Sequence, residues 1–129
     1  MNYYVDTSIA VLALQASPRV VAWFDSLKAN DALVSSRLLQ TELTRFLRRT
    51  GRPVLDREVL LPLIGLVPLT DSVLLVAEAI TEHTKSLDAI HLATALSTGG
   101  DIVVVSHDTN MLRVAELLGL PTLDPVSTS

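Results

Sequence analysis

The sequence predicts an α/β fold in which helices cover both faces of a central parallel sheet. Short apolar runs alternate along the chain with longer helical patterns, which is typical of strands joined by helical crossovers. The runs are continuously apolar, as in "IVVV" at 102–105, and strands buried on both faces have this composition. With 129 residues and neither a repeat nor a linker, we expect a single domain, 1–129.

The individual elements follow from capping and turn residues. Pro18 suits the first turn of a helix, a serine begins the helix at 35–51, and Gly51 ends it. Gly99 and Gly100 end a later helix. The expected strands are 3–5, 32–34, 65–69, 101–108 and 121–123, of which 65–69 is an edge strand. The expected helices are 17–30, 35–51, a stretch after Pro53, 71–85, 86–100 and 109–120.

Composition excludes several classes of protein. The chain has no cysteine, so disulfides and zinc–thiolate sites are excluded. The N-terminal stretch lacks a basic leader and no apolar run is as long as a membrane span, so we expect a cytoplasmic protein without a membrane partner. A net charge of -4 disfavours nucleic-acid binding through the overall field. The mean hydropathy of +0.43 indicates either an apolar surface for a partner or a tightly packed core.

Four carboxylates occupy informative positions. Asp6 and Asp108 each follow a strand, and parallel strands place such residues at one edge of the sheet. Asp88 begins the apolar helix "SLDAIHLATAL", and Glu42 lies between an apolar and an arginine-rich helix face. Each also has a simpler interpretation: Asp6 and Asp108 as helix caps, Asp88 in the helix dipole, and Glu42 paired with Arg45.

Taken together, the four acids predict a metal site. Carboxylates that converge without a cation repel one another in a poorly solvated place. Oxygen ligands without cysteine select Mg²⁺, or Mn²⁺, over zinc. The hypothesis is therefore that Asp6, Glu42, Asp88 and Asp108 hold a divalent cation.

Four segments resemble the PIN-domain family, and most closely its VapC-type toxins of type II toxin–antitoxin systems. The segments are "YYVDTSIAVLAL", "SRLLQTELTRFLRR", "SLDAIHLATAL" and "IVVVSHDTNML", in the family's order over nearly the whole chain. The resemblance implies a three-layer α/β/α domain and a metal-dependent endoribonuclease. Its four acids fall on Asp6, Glu42, Asp88 and Asp108.

The resemblance also implies supporting residues and partners. Ser8 matches the small hydroxylated residue that supports the first acid, Asn110 is auxiliary, and Ser106 replaces the more usual threonine. Water is the implied nucleophile, leaving a 5′-phosphate. A homodimer and a VapB-like antitoxin that covers the active-site groove are expected. Trp23, Phe24 and the leucines of 38–47 are candidate groove residues, with ordinary core as the alternative for each.

A local basic surface would allow an acidic protein to bind RNA. The arginines at 45, 48, 49 and 52 follow helical spacing beside Glu42 and form a stripe that could hold phosphates. A solvated helix face is the alternative. The RNA-binding candidates are Arg45, Arg48, Arg49 and Arg52.

Other functions are weighed against the nuclease. His91 and His107 allow metal-free activation of a ribose hydroxyl, and His91 could instead hydrogen-bond Asp88. A haloacid-dehalogenase phosphatase needs an aspartate where Ser8 stands, and nucleotide-binding folds need a glycine-rich loop that is missing. An inactive PIN-like module that binds RNA or protein, and an RNA-processing nuclease that is not a toxin, remain alternatives. The sequence does not identify the RNA.

Overall fold

The computed structural model describes residues 1–127, so the last two residues of the predicted domain lie outside the described residues. The strands are β1 (Asn2–Val5), β2 (Ala32–Ser36), β3 (Gly65–Val67), β4 (Ile102–Val105) and β5 (Thr122–Leu123). The helices are α1 (Thr7–Leu14), α2 (Pro18–Asp25), α3 (Arg37–Arg49), α4 (Asp71–Ala79), α5 (Ser86–Ser97) and α6 (Thr109–Leu117). Two short 3-10 helices, Val54–Val59 and Leu61–Leu63, connect α3 to β3.

The strands form one parallel sheet in the order β3-β2-β1-β4-β5. β1 is the central strand, and its Val5 pairs in register with Val105 of β4. The two short strands, β3 and β5, lie at the edges. The predicted α/β/α fold with a central parallel sheet is therefore confirmed.

The sheet separates two apolar cores, because successive side chains of a strand point to opposite faces. On β1, Val5 lies in one core and Tyr4 in the other. The first core is covered by α1, α2, α3 and the 3-10 helices, through Ile9, Ala10, Val20, Leu39, Leu43, Leu60 and Ile64. The second core is covered by α5 and α6, through Leu92, Ala95, Met111, Val114 and Ala115.

Several elements differ from the sequence-based expectation. Helix α1 is not among the helices expected from the sequence. Only the interpretation of Asp6 as a helix cap pointed to it. The stretch after Pro53 forms 3-10 turns rather than an α-helix, and Pro62 within it lacks the N–H that a longer helix needs. Helices α2 and α4 end earlier than expected. Gly51 adopts a φ of 70° just beyond α3, as expected for a glycine that ends a helix.

No single helix among residues 1–127 is long and apolar enough to cross a membrane. Helices α1 and α2 meet the criteria of length and composition only as a pair, and they are bent by 104° at the break between them.

Candidate active site

The site lies where the direction of chain progression through the sheet reverses. From the central strand, the chain first runs outward to β2 and β3 and then returns to the other side of β1 as β4 and β5. The connection from β1 to β2 covers one face, and α5, which precedes β4, covers the other. In open parallel sheets a crevice forms at this point, beyond the carboxyl ends of the strands. Asp6 follows β1 there, and Ser106 follows β4.

Asp6 is held rigidly at the centre of this crevice. Only 3% of it is exposed, and each carboxylate oxygen accepts a 2.6 Å hydrogen bond, Oδ1 from Ser8 Oγ and Oδ2 from Ser106 Oγ. The Ile9 N–H also donates to Oδ1, so Asp6 caps α1 as well. Burial raises the pKa of Asp6, and the serine hydrogen bonds partly oppose that rise. The charged form of Asp6 is thus poorly solvated but well oriented.

The two serines also tie Asp6 to the loop after β4. Ser8 Oγ accepts a hydrogen bond from the His107 backbone N–H, and Ser106 Oγ accepts one from the Asp108 N–H. Each hydroxyl therefore bridges Asp6 and that loop. Ser106, the departure from the usual threonine, supplies the same hydroxyl.

Glu42 projects from α3 into the same crevice and is fixed by two donors to one oxygen. Its Oε1 accepts from Thr7 Oγ1 at 2.6 Å and from His91 Nε2 at 2.7 Å. Burial alone would raise the pKa of Glu42, but the hydrogen bonds from His91 and Thr7 outweigh burial and lower it. Among residues 1–127 Glu42 bonds to the His91 imidazole and makes no salt bridge with Arg45, which was the simpler interpretation.

The imidazole of His91 is itself oriented by a buried tyrosine. His91 is 2% exposed, and its Nδ1 lies 2.7 Å from the Tyr4 hydroxyl. A carboxylate can only accept, so Nε2 must carry the proton that faces Glu42. In the neutral imidazole Nδ1 then accepts from Tyr4. Sequence reasoning considered His91 as a partner of Asp88 or a metal-free base; in the structure it instead connects β1, α5 and α3.

Asp88 and Asp108 complete the set of acids. Asp108 is exposed and caps α6, accepting from the Met111 N–H at 2.9 Å. Asp88 lies half-buried in the first turn of α5, and within residues 1–127 no group donates a hydrogen bond to it. Burial raises the pKa of Asp88, and the negative charge of Asp108 raises it further. The charges of Asp6 and Glu42 act in the same direction, so all three other acids disfavour the charged form of Asp88.

The donor set suits a hard divalent cation, although the acids do not yet form a chelate. No three His, Asp or Glu side chains in the described part of the chain are arranged to hold a metal ion as they stand. Carboxylates that carry unneutralised charge repel one another, so a spacing wider than a chelate is expected. Oxygen-only donors and the repulsion at Asp88 fit Mg²⁺ or Mn²⁺. The residues that could bind it are Asp6, Glu42, Asp88 and Asp108.

Asn110 and His107 are engaged elsewhere. The Asn110 amide donates to the His83 carbonyl at 3.3 Å and accepts from Arg113 Nη2 at 2.8 Å. It therefore holds the loop before α5 against α6. Asp88 lies in the first turn of α5, directly after that loop. The His107 imidazole pairs with Asp124 at 3.0 Å.

An open groove of about 720 Å³ adjoins the acids between α1 and α3. Its polar lining includes Thr7, Ser8, Thr41, Glu42, Arg45, Arg49 and His107, and its apolar lining is Val11, Leu12, Leu38, Phe46 and Leu87. Trp23 and Phe24 do not line it; they pack against the first core, which was the alternative interpretation. The leucines at 39, 43 and 47 are likewise core, and Leu38 alone of the 38–47 leucines lines the groove.

The four predicted RNA-binding arginines separate in the structure. Arg45 and Arg49 line the groove, with the Arg49 guanidinium 5.8 Å from the centre of the Phe46 ring. Arg52 donates to the Leu14 carbonyl at 3.1 Å and pairs with Asp56 at 3.4 Å. Arg48 is exposed and is not among the residues that line the groove.

Solved structures with the same fold are toxin–antitoxin complexes. VapBC-1 from nontypeable Haemophilus influenzae is 18% identical, over 98% of this chain and 100% of that chain, with a TM-score of 0.75. A toxin–antitoxin complex from Klebsiella pneumoniae is 15% identical, over 97% and 98%, with a TM-score of 0.74. VapBC2 from Rickettsia felis, solved bound to a promoter DNA fragment, is 13% identical over 95% and 98%, with a TM-score of 0.77. No curated protein matches this chain.

The sequence itself matches a family model. The PIN domain model matches residues 3–117, a range that contains all four carboxylates, β2, β3, β4 and all of β1 except Asn2. The resemblance seen in the sequence is thereby confirmed. Since this match covers most of the chain, the chain belongs to the PIN domain family.

Proposed function

We propose that this protein is a divalent-metal-dependent endoribonuclease that acts in the cytoplasm as the VapC-type toxin of a toxin–antitoxin module. The observation that carries the proposal is the convergence of charge on Asp88, whose pKa is raised by burial and by the three other carboxylates. Such a crowded acidic crevice is costly without a cation. Asp6, Glu42, Asp88 and Asp108 are the proposed metal ligands and catalytic residues. The PIN family and the VapBC fold support this assignment.

The chain's own residues prepare the site for hydrolysis of a phosphodiester. When bound, Mg²⁺ or Mn²⁺ would lower the pKa of a water molecule and neutralise charge on the scissile phosphate. Ser8 and Ser106 hold Asp6 in one orientation, so little ordering remains to be done when a ligand arrives. Thr7 and His91 both donate to Glu42 Oε1, so Oε2 keeps no donor from residues 1–127 and would be the oxygen available to a cation. Asn110 supports this arrangement by bracing the loop that leads to Asp88.

The groove is the proposed path of the RNA. Arg45 and Arg49 line it on the same side as Glu42, where guanidinium groups can hold phosphates. Its apolar lining offers surface on which bases can pack, as in other single-strand binding sites. Arg52 is already paired with Asp56 and would contribute less.

A VapB-like antitoxin and a second copy of the chain are the proposed protein partners. The groove combines apolar lining with two arginines, which suits a peptide segment that covers the active site. The solved structures of the same fold are complexes of a toxin with its antitoxin. Exposed apolar residues on the 3-10 helices support a homodimer; Leu55, Val59 and Leu63 are 77%, 69% and 58% exposed.

The test compares cleavage of a cellular RNA mixture by the wild-type protein, with Mg²⁺ or with excess EDTA, and by Asp6→Asn. We expect EDTA to abolish cleavage and the substitution to reduce it by a factor of about 100 or more, because a carboxylate ligand is lost. Asp25→Asn, at an exposed aspartate ending α2, is the matched control and should retain activity.

Each result separates the proposal from its alternatives. Cleavage that persists in EDTA would exclude the metal mechanism and favour a histidine-based one. RNA binding without cleavage under any metal would identify an inactive PIN module. Cleavage without growth arrest on expression would indicate an RNA-processing nuclease rather than a toxin.

A further inference from the structure

A second, smaller pocket lies beside the groove on α3. Its volume is about 190 Å³, room for roughly six water molecules at their liquid volume. Its lining residues all have polar side chains and none is an acid, although their carbon atoms form most of the lining surface: Arg37, Gln40, Thr41, Thr44, Arg45 and Arg57. We call this the arginine pocket. The sequence pattern did not indicate it, because Arg57 lies outside α3 and Arg37 is not part of the 45–52 stripe.

Two guanidinium groups of the arginine pocket are oriented by threonine hydroxyls rather than by acids of the pocket. Arg37 Nη1 donates to Thr41 Oγ1 at 3.1 Å, and Arg57 Nη1 donates to Thr44 Oγ1 at 2.8 Å. A guanidinium has five N–H donors, so these bonds leave most of them unused. Threonine fixes the geometry but carries no charge.

Few acids oppose these arginines. Glu58 contacts Arg57 Nε at 3.5 Å, and within residues 1–127 no carboxylate forms a salt bridge with Arg37 or Arg45. Arg37 is also the first residue of α3, where the helix dipole disfavours a cation. In a chain with a net charge of -4, three arginines gathered in this way form a local positive surface that suits an anionic ligand.

The composition of the pocket favours a phosphodiester over a protein. Arginine, threonine and glutamine are side chains that contact nucleic-acid phosphates. The centre of a protein interface contains apolar and aromatic residues, and the arginine pocket has none. Thr41 and Arg45 line both cavities, so a strand that lies in the groove continues directly into this pocket.

We propose that the arginine pocket is a subsite that binds an RNA backbone phosphate flanking the one at the acidic site. Arg37 and Arg57 are its specific residues, and Arg45 joins it to the groove. This inference depends on the proposed function. Because the subsite binds substrate and transition state equally, removing it should raise KM and leave kcat nearly unchanged.

The experiment uses the full chain with Arg37→Gln and Arg57→Gln, and Arg19→Gln as the control. Arg19 lies on α2, is exposed and lines neither cavity, so the control removes the same charge outside the pocket. Binding of a fluorescent mixed-sequence RNA strand is measured in EDTA by anisotropy from about 50 to 200 mM salt. Cleavage of the same strand is measured in Mn²⁺.

We expect each pocket variant to bind RNA about tenfold more weakly, as when one charged hydrogen bond is removed. The slope of log K against log salt should fall by about 0.7 for each phosphate that the variant no longer binds. Arg19→Gln should match the wild type. Arg37→Lys should restore the salt slope but not the full affinity, because lysine keeps the charge and lacks the planar fork.

Three results would overturn the inference. Wild-type affinity and KM in both pocket variants would show that no phosphate lies there. An equal weakening in Arg19→Gln would show that only overall charge matters. Unchanged RNA binding together with weakened binding of polyglutamate would assign the pocket to an acidic protein. A wild-type protein that neither binds nor cleaves RNA would instead contradict the proposed function itself.

Discussion

At the scale of single residues, Glu42 is oriented by a donor that lies far away in the sequence. His91 of α5, 49 positions away, shares Glu42 Oε1 with Thr7, and Tyr4 of β1 orients that histidine in turn. Helical spacing separates the apolar and basic faces of α3, but it relates a residue only to others on the same helix. Periodicity contains no signal for such a contact. A polar residue on an otherwise buried helix face is the only hint of it.

The Tyr4–His91 pair predicts a selective effect on metal binding. His91→Leu removes the donor to Glu42 and should weaken Mn²⁺ binding by about tenfold or more, as the loss of a residue that orients a ligand does. Tyr4→Phe should weaken it less, since it leaves Nε2 in place. Calorimetric titration with Mn²⁺ measures both.

A control separates positioning from packing at His91. Leu92, the next residue of α5, is 1% exposed, and Leu92→Val removes one buried methylene without touching a hydrogen bond. That variant should lose stability but keep the Mn²⁺ affinity of the wild type. If His91→Leu binds Mn²⁺ as tightly as Leu92→Val, His91 is a core residue and nothing more.

The raised pKa of Asp88 predicts that the stability of the metal-free protein depends on pH. The folded-state pKa of Asp88 lies above the ordinary value of 3.8, so near that range the native state binds more protons than the unfolded state and stability falls as pH rises. Above the folded pKa the ionised Asp88 destabilises the metal-free protein. We therefore expect Asp88→Asn to raise the thermal midpoint at neutral pH, modestly because the site is half solvated.

The same substitution should have no such benefit under two conditions. Well below the ordinary value of 3.8 the wild-type side chain is protonated in both states, so the difference in midpoint should vanish. With Mn²⁺ the wild type should gain more than Asp88→Asn, because it keeps a ligand. A variant less stable than the wild type in EDTA at every pH would contradict the repulsion.

At the scale of elements, caps and strand ends have two roles at once. The interpretation of Asp6 and Asp108 as helix caps is correct in geometry, since each accepts from the third N–H that follows it. An aspartate that caps a helix can also belong to the acidic site. Strands β1 and β4 could be predicted from apolar runs, whereas α1 was harder because "TSIAVLAL" is apolar on every side. The 3-10 turns at 54–63 carry no periodic signal.

The two roles of Asp108 can be separated by substitution. Asn caps a helix about as well as Asp but lacks the charge, whereas Ala provides neither. Asp108→Asn and Asp108→Ala should both lose cleavage, but only Asp108→Ala should lose about 1 kcal/mol of unfolding free energy. Chemical denaturation of the metal-free proteins measures the difference. Equal stability of the two variants would show that the hydrogen bond to the Met111 N–H contributes nothing.

At the scale of the whole molecule, the parallel sheet explains why the sequence alone predicts that two of the acids lie at the same edge. Continuously apolar strands are buried on both faces, and parallel strands bring their carboxyl ends to one edge. That rule placed Asp6 and Asp108 together. It could not indicate how α3 and α5 approach across that edge, nor which arginines are already paired, because both depend on packing between residues far apart in sequence.

The position of β4 beside β1 has a consequence for the protein while it is being synthesised. The hydrogen bond from Ser106 to Asp6 joins residues 100 positions apart, and Asp108 comes later still. A polypeptide emerging from the ribosome therefore contains Asp6 long before the partners that complete the crevice have been translated. A growing chain that stops short of β4 lacks Asp108 and cannot assemble the four acids. The proposed nuclease activity would therefore be absent during translation, and the messenger RNA being translated would be spared.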